Sequence, residues 1–157
     1  MKNEDVIRLF DEFSDDLYRF AVSYVGSKHD AEDIVQDVFL KLLDKHLLIR
    51  KNAEKSYLMS MIANKCRDHL RSSVRKASVS LESAESELQY YDGFSDTDIA
   101  VFDELMSLEE AFRIPIYLHY YEGYTYREIA SILGISESAA AMRIQRGKEK
   151  LRIRLEE

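Results

Sequence analysis

The final third of the chain, residues 124–154, contains two helical patterns joined by a tight turn. The first begins at Thr125 to Glu128, whose sequence Thr-Tyr-Arg-Glu has the form of a capping box. Gly134 follows, and glycine most easily adopts the left-handed conformation in which helices end. Ser136 can cap a second helix, whose apolar residues recur at helical spacing: Ala140, Ile144, Gly147, Leu151 and Leu155. These features predict a helix-turn-helix.

A cationic stripe runs along the second of these helices, beside the apolar face. Its members are also spaced by three and four residues: Arg143, Arg146, Lys150 and Arg154. A helix that is apolar on one side and basic on another, entered through a tight turn, fits the major groove of DNA and its flanking phosphates. The alternative interpretation is a solvated basic face on an ordinary helical hairpin.

The charges of the chain are segregated, so the formal net charge of −7 is a poor argument against nucleic-acid binding. Residues 49–76 carry eight basic and two acidic side chains, whereas residues 77–112 carry ten acids and no Lys or Arg. The flanking residues 1–48 are net acidic and residues 113–157 net basic. Such blocks predict two cationic surfaces separated by acidic segments.

One Pro and five Gly in 157 residues leave few interruptions, which predicts long helices. Apolar spacing predicts a first helix at about 3–25, a second from Ser27 to near Lys45, and a third after a polar loop at 48–55. Residues 72–98 have weak periodicity and are interpreted as a linker. Pro115 is expected in the first turn of a further helix that ends at Gly123.

We therefore predict an all-α chain of two small helical domains. The boundaries are expected at residues 1–75 for the first domain, 76–104 for an acidic linker and 105–157 for the second domain, which contains the helix-turn-helix.

The predicted third helix carries a second cationic face. Its polar members are spaced by three, four and four residues: Asn64, Arg67, Arg71 and Arg75. The preceding loop adds further positive charge from Arg50, Lys51 and Lys55. A cationic helix beside a cationic loop is a plausible nucleic-acid surface, and its alternative is a solvated helix face.

The sequence offers little for catalysis or metal binding. Cys66 with His69 is the nearest approach to a nucleophile pair or half a zinc site, but no second cysteine exists, so a half-buried thiol is expected. The acids near Asp33 lack the spacing of a calcium loop. No metal, cofactor, small-molecule substrate or enzymatic activity is predicted. A single cysteine and the lack of any long apolar run predict a cytoplasmic protein without membrane insertion.

Three segments resemble bacterial RNA polymerase sigma factors. Residues 30–42, of sequence Asp-Ala-Glu-Asp-Ile-Val-Gln-Asp-Val-Phe-Leu-Lys-Leu, are similar to the segment that binds core polymerase. Residues 57–71 resemble the promoter-melting and −10-reading segments, and residues 120–136 resemble the −35-reading domain. Chain length and the two-domain layout resemble the extracytoplasmic-function group.

This resemblance implies partners and roles. The expected partners are core RNA polymerase, promoter DNA and an anti-sigma factor. Polymerase contacts are implied for Asp30, Asp33, Gln36 and Asp37. Contacts to the −10 element are implied for Arg50, Lys51, Asn64, Arg67, Arg71 and Arg75. At the −35 element, base contacts are implied for Met142, Gln145 and Arg146, and phosphate contacts for Arg143 and Lys150.

Three positions depart from the family pattern. Tyr57 stands where the family usually has Trp, Leu108-Glu109 replaces Leu-Pro and predicts a more helical entry to the second domain, and Ala141 replaces a basic residue. Two rival functions follow from the residues alone. One is a stand-alone helix-turn-helix activator or repressor with an N-terminal sensor or dimerisation lobe, and the other is a small helical enzyme, for which the sequence lacks a convergent catalytic set.

Overall fold

The computed structural model describes the backbone of residues 3–44, 49–76 and 96–156, and the side chains in these ranges except at 51, 73–76, 96–100 and 153–156. The chain divides into two compact units at residues 88 and 89. Within the described ranges all regular structure is helical, which confirms the predicted all-α class with two helical domains.

The described residues of the first unit form three long helices. They are α1 (Asn3–Val25), α2 (Lys28–Asp44) and α3 (Glu54–Lys76), with a 3-10 turn at Lys51–Ala53 before α3. The predicted break between α1 and α2 is confirmed, because Gly26 has a φ of 75°. Ser27 then caps α2, its Oγ accepting a hydrogen bond from the backbone N–H of Asp30 at 3.2 Å. The expected loop at 48–55 is shorter than predicted, since α3 already begins at Glu54.

Helix α1 packs against both α2 and α3 and forms the core of the first unit with them. Its fully buried large side chains are Leu9, Leu17 and Phe20, and those of the other two helices are Leu42, Leu58, Met59 and Ile62. Burying each contributes about 1.5–3 kcal/mol, so this face holds the three helices together. Cys66 is also fully buried, and the expectation of a half-buried thiol was wrong because its helix face points into this core.

Over residues 96–156 the second unit forms four helices. They are α4 (Asp96–Met106), α5 (Glu110–Tyr120), α6 (Tyr126–Leu133) and α7 (Glu137–Glu156). Helix α7 contacts the other three helices of this unit. Helix α4 crosses the boundary expected between residues 104 and 105, and residues 77–95 of the expected linker lie outside the described residues. The division at 75 and 105 stays a prediction.

Pro115 does not occupy the first turn of its helix, contrary to the prediction. Helix α5 begins at Glu110, after an extended Glu109 with φ −60° and ψ 146°, and Pro115 lies inside it. The start of α5 is set upstream of Pro115. The helical conformation is interrupted at Ser107-Leu108, and the Arg113 guanidinium donates to the Leu108 carbonyl at 2.7 Å. The helix therefore continues through Pro115. Because the proline nitrogen carries no hydrogen, one backbone hydrogen bond of the helix is not made there. The predicted helical entry at Leu108-Glu109 was likewise wrong, since these residues separate α4 from α5.

Candidate nucleic-acid interface

The turn between α6 and α7 is built by local hydrogen bonds that the sequence predicted. The Thr125 Oγ1 accepts from the Glu128 backbone N–H at 3.2 Å, and the Glu128 carboxylate accepts from the Thr125 N–H at 3.1 Å. Gly134 ends α6 in the left-handed conformation, with φ 68° and ψ 36°. The Ser136 Oγ then caps α7 by accepting from the Ala139 N–H at 3.1 Å. The structure thus confirms a helix-turn-helix whose second helix, α7, is capped.

Helix α7 buries one face and exposes another. Ala140 and Ile144 are fully buried, and Gly147 is buried beside them. Met142 is 52% exposed, and Gln145 and Arg146 are also exposed, which leaves all three side chains available on the outer face. Arg143 is half-buried on the flank of the helix. The Arg154 side chain lies outside the described residues.

Two lysines on α7 lie over aromatic rings of α5. The Lys150 ammonium is 4.9 Å from the centre of the Phe112 ring, and that of Lys148 is 5.1 Å from the Tyr120 ring. A hydrogen bond with Tyr120 raises the pKa of Lys148 above its ordinary value. Sequence reasoning missed Lys148, because its partner is 28 residues away and no local spacing relates the two.

The cationic face of α3 is assembled as predicted for the side chains that the structure describes. Asn64 and Arg71 are exposed and Arg67 is half-buried, with its Nη1 donating to the Asn64 Oδ1 at 3.5 Å. Arg50 is exposed and stands at the start of the 3-10 turn that leads into α3. The side chains of Lys51 and Arg75 lie outside the described residues.

Lys55 differs from the sequence-based prediction, which placed it in a cationic loop. It lies in the first turn of α3, and its ammonium pairs with the Asp16 carboxylate of α1 at 2.9 Å. Because this charge is directed at a neighbouring helix, Lys55 is part of the packing between α1 and α3.

Helix α2 presents an acidic stripe on the surface of the first unit. The Asp33 and Asp37 side chains are 61% and 60% exposed, and Gln36 is exposed between them. Asp30 is more enclosed, and its Oδ2 lies 3.1 Å from the His69 Nε2 on α3. The structure therefore brings three of the four implied polymerase contacts together on an open face and directs the fourth towards α3, although the Asp37 carboxylate also lies 4.0 Å from the Lys65 ammonium of α3.

Two apolar side chains continue this stripe, and sequence reasoning missed them. Leu40 is 59% exposed and Leu43 is 45% exposed. Leu40 follows Gln36 and Asp37 by four and three residues, so it shares their face of the helix. The signal was available in the sequence, because that spacing puts a large apolar residue on a face that is otherwise acidic.

The described residues contain no group of three or more His, Cys, Asp or Glu side chains close enough to hold a metal ion. None of the described helices combines the length and apolar character needed to cross a bilayer.

These surfaces define a class of protein. A capped helix-turn-helix occupies one unit, and a second cationic helix beside an acidic helix occupies the other. The chain is an all-helical, two-domain protein with the features of a DNA-binding transcription factor.

Comparison with known proteins identifies the family. The models of sigma-70 region 2 and sigma-70 region 4 match residues 9–76 and 98–151. The chain is 31% identical to the RNA polymerase sigma factor SigV of Bacillus subtilis, over 89% of this chain and 84% of that protein. It is 28% identical to the ECF RNA polymerase sigma factor SigE of Mycolicibacterium smegmatis over 90% of this chain, and spans only 58% of that relative. The chain belongs to the sigma-70 family and is of the ECF type.

Solved structures share the fold. The sigma factor RpoE in complex with the anti-sigma factor NepR, from Bartonella quintana, matches with a TM-score of 0.75 at 24% identity and 98% coverage of both chains. CnrH in complex with the cytosolic domain of CnrY matches with a TM-score of 0.68 at 22% identity, over 99% of this chain and 90% of that chain.

Proposed function

We propose that this protein binds core RNA polymerase and directs promoter recognition, DNA opening and transcription initiation. The observation that carries this proposal is the first unit, which presents both an open acidic stripe on α2 and a cationic face on α3. A protein that only bound duplex DNA through its helix-turn-helix would need neither of these two surfaces.

The acidic stripe fits a polymerase contact. Asp33, Gln36 and Asp37 supply charge and hydrogen-bonding groups, while Leu40 and Leu43 supply exposed apolar area beside them. Protein interfaces combine an apolar centre with a polar rim, and charge complementarity sets the partner and the association rate. The expected partner surface on the polymerase is basic with apolar positions at its centre.

The two cationic surfaces fit different steps on DNA. Met142, Gln145 and Arg146 face outward from a capped recognition helix and are proposed to contact base edges of the −35 element. Arg50, Asn64, Arg67 and Arg71 are proposed to contact the −10 element as it opens. Lys51 and Arg75 are included in that proposal on sequence alone. Unpairing a base costs a few kcal/mol, which contacts to the exposed strand must offset.

Further parts of the proposal concern setting and regulation. Because the proposed partner is RNA polymerase, the protein is proposed to act in the bacterial cytoplasm, and the role proposed requires no chemical step at a residue of this chain. An anti-sigma partner is proposed, supported by the two fold neighbours RpoE and CnrH, which were solved with NepR and with CnrY.

Run-off transcription tests the proposal. Core polymerase with and without this chain is supplied with a pool of promoter fragments from the source genome, and transcripts are sequenced. The expected result is a set of discrete start sites that depend on the chain. Tight binding of the isolated chain to duplex operators, with no transcript that depends on it, would support a stand-alone regulator instead.

A further inference from the structure

Two ion pairs of opposite polarity fasten the start of α3 to α1. The Arg8 Nη2 donates to the Glu54 carboxylate at 2.5 Å, and the next residue, Lys55, pairs with Asp16 at 2.9 Å. Arg8 and Glu54 are 46 residues apart, and Asp16 and Lys55 are 39 residues apart, so these contacts join distant parts of the chain. They lie where the 3-10 turn passes into α3.

Glu54 is unusual because its carboxylate is enclosed. Its side chain is only 9% exposed, whereas that of Arg8 is 43% exposed. A buried carboxylate needs a cationic or hydrogen-bonding partner, since desolvation otherwise disfavours its charge. The hydrogen bond with Glu54 is the main reason that the pKa of Arg8 is raised. Arg8 also contacts Glu12 at 3.2 Å, but that carboxylate is 53% exposed and lies on the same helix.

The polarity of the two pairs selects one placement of α3 on α1. Arg8 and Asp16 are eight residues apart, which is about 12 Å along the axis of α1. A shift of α3 along α1 towards residue 16 would bring Glu54 to Asp16, and a shift towards residue 8 would bring Lys55 to Arg8. Either shift would join like charges, so both are disfavoured relative to the observed placement.

Glu54 directly follows the 3-10 turn at Lys51–Ala53, which Arg50 precedes. The Ala53 N–H donates to the Arg50 carbonyl at 2.9 Å, and the Ser56 Oγ donates to the Ala53 carbonyl at 3.2 Å. One backbone and one side-chain hydrogen bond therefore link Arg50, through Ala53, to Ser56 in the first turn of α3. A change in the position of Glu54 would move the turn that precedes it.

We propose that Arg8 and Glu54 are positioning residues for the −10 element. They hold the Arg50–Ala53 turn where it meets an unpaired base, and thereby set base preference at that position without touching DNA. This inference depends on the proposed function, because it assumes that the first unit meets an opened strand.

The test uses the full chain assembled with core polymerase on promoter templates whose −10 element varies one base at a time. Open-complex yield for each template gives the base preference, and retention on a duplex with an intact −35 element gives initial capture. The variants are Arg8→Met and Glu54→Gln, alone and combined. Glu12→Gln is the matched control, because it removes the other carboxylate that contacts Arg8.

Both single variants are expected to lose most of the preference at one −10 position and to keep −35 capture. The double variant should lose no more than either single variant, since the two residues act as one pair. Glu12→Gln should keep the full preference. Unchanged preference in folded Arg8→Met and Glu54→Gln proteins overturns the inference.

A substitute variant covers misfolding of Glu54→Gln, and the wild-type chain separates failure of the proposed function from failure of the positioning role. If Glu54→Gln fails to fold, as judged by circular dichroism, Arg8→Lys replaces it, because lysine keeps the charge but lacks the planar fork of arginine. Arg8→Lys is expected to fold and to shift the preference, and an unchanged preference counts against the inference. A wild-type chain that opens no promoter contradicts the proposed function itself, whereas a wild-type preference that survives in the variants contradicts only the positioning role.

Discussion

Gly147 of α7 stands so close to Ile116 of α5 that a side chain at position 147 would require Ile116 to move. A Cβ placed on Gly147 would lie 2.4 Å from the Ile116 Cδ1 and 3.2 Å from the Phe112 Cβ. Packed protein interiors leave no room for such an addition, so glycine is what allows α7 to approach α5 this closely. The lysine contacts with Phe112 and Tyr120 also join α7 to α5. The packing of α7 against α5 therefore determines the position of α7 within the second unit.

Gly147→Ala is expected to destabilise the second unit. Alanine is favoured over glycine in a helix by about 1 kcal/mol, which alone would stabilise α7. Overpacking against Ile116 costs about 1–3 kcal/mol, and because Ile116 is buried we expect this cost to win. Amide hydrogen exchange of α5 and α7 in the full chain measures the change.

The control for this prediction is Ile116→Val, which removes the Cδ1 atom. Combined with Gly147→Ala, it should recover part of the lost protection, giving a favourable coupling between the two sites. If Gly147→Ala alone slows exchange, the close approach does not limit the packing of α7 on α5.

Thr125→Ala is expected to destabilise α6 by about 1 kcal/mol, because the Glu128 N–H loses the Oγ1 that caps it. Thr125→Ser keeps the hydroxyl and should retain most of the stability. The stability of both variants is measured by urea unfolding, with hydrogen exchange of the α6 amides as the readout. An equal loss in the serine variant would show that the threonine methyl, and not the cap, carries the effect.

The elements governed by local rules were predictable. The bounds of α1 and the turn between α6 and α7 agree with prediction, because capping boxes, left-handed glycines and apolar spacing involve residues within a few positions of each other. The same holds for the outward faces of α3 and α7. Periodicity alone tells which side chains share a face.

Contacts between distant residues were not predictable from such patterns. Asp30 turns towards His69, 39 residues along the chain, and Arg8 reaches Glu54, 46 residues along. Tertiary packing decided these two contacts, and local preference is weak beside it. The start of α5 was missed for a local reason, since the interruption at Ser107-Leu108 and the contact of Arg113 with Leu108, five residues away, override the preference of Pro115 for a first turn.

Reversing charge on the acidic stripe should weaken polymerase binding. Asp33→Lys and Asp37→Lys each place a cation where a basic partner is proposed. Because like-charge contacts at an interface cost several kcal/mol, the two substitutions together should reduce the affinity for core polymerase about tenfold or more. The double variant Asp11→Lys with Asp15→Lys is the matched control, because it makes the same charge change at the same spacing on two exposed carboxylates of α1, outside the stripe. Co-purification with core polymerase reports the affinity. Native circular dichroism with undiminished binding would contradict the polymerase contact.

Replacing the cationic face of α3 should impair DNA opening more than promoter capture. Alanine at Asn64, Arg67 and Arg71 removes polar and charged groups from one face of the helix. Permanganate reactivity of unpaired thymines measures opening, and retention on duplex promoter measures capture. Lys41→Ala removes a positive charge from α2 as a control and should leave opening unchanged. Normal opening in the triple variant would mean that this face is only solvated.

Arg146 and Lys150 of α7 are expected to act differently at the −35 element. Both side chains are exposed, but the Lys150 ammonium lies over the Phe112 ring on the flank of the helix. A bidentate Arg–guanine contact is worth about 1–3 kcal/mol of discrimination, so Arg146→Ala should relax preference at one or two positions. Lys150→Ala should weaken all promoters about equally and reduce the salt dependence of binding by about one ion.

A library of −35 variants, scored against both proteins at several salt concentrations, separates these two roles. Phe112→Leu is the control for Lys150, because it removes the aromatic ring but keeps the lysine charge, and it should leave the salt dependence unchanged. Loss of the same promoters in the same order from Arg146→Ala and Lys150→Ala would contradict the distinction. The two residues would then contribute to binding only through charge, and base recognition on α7 would have to come from its other exposed side chains, Met142 and Gln145.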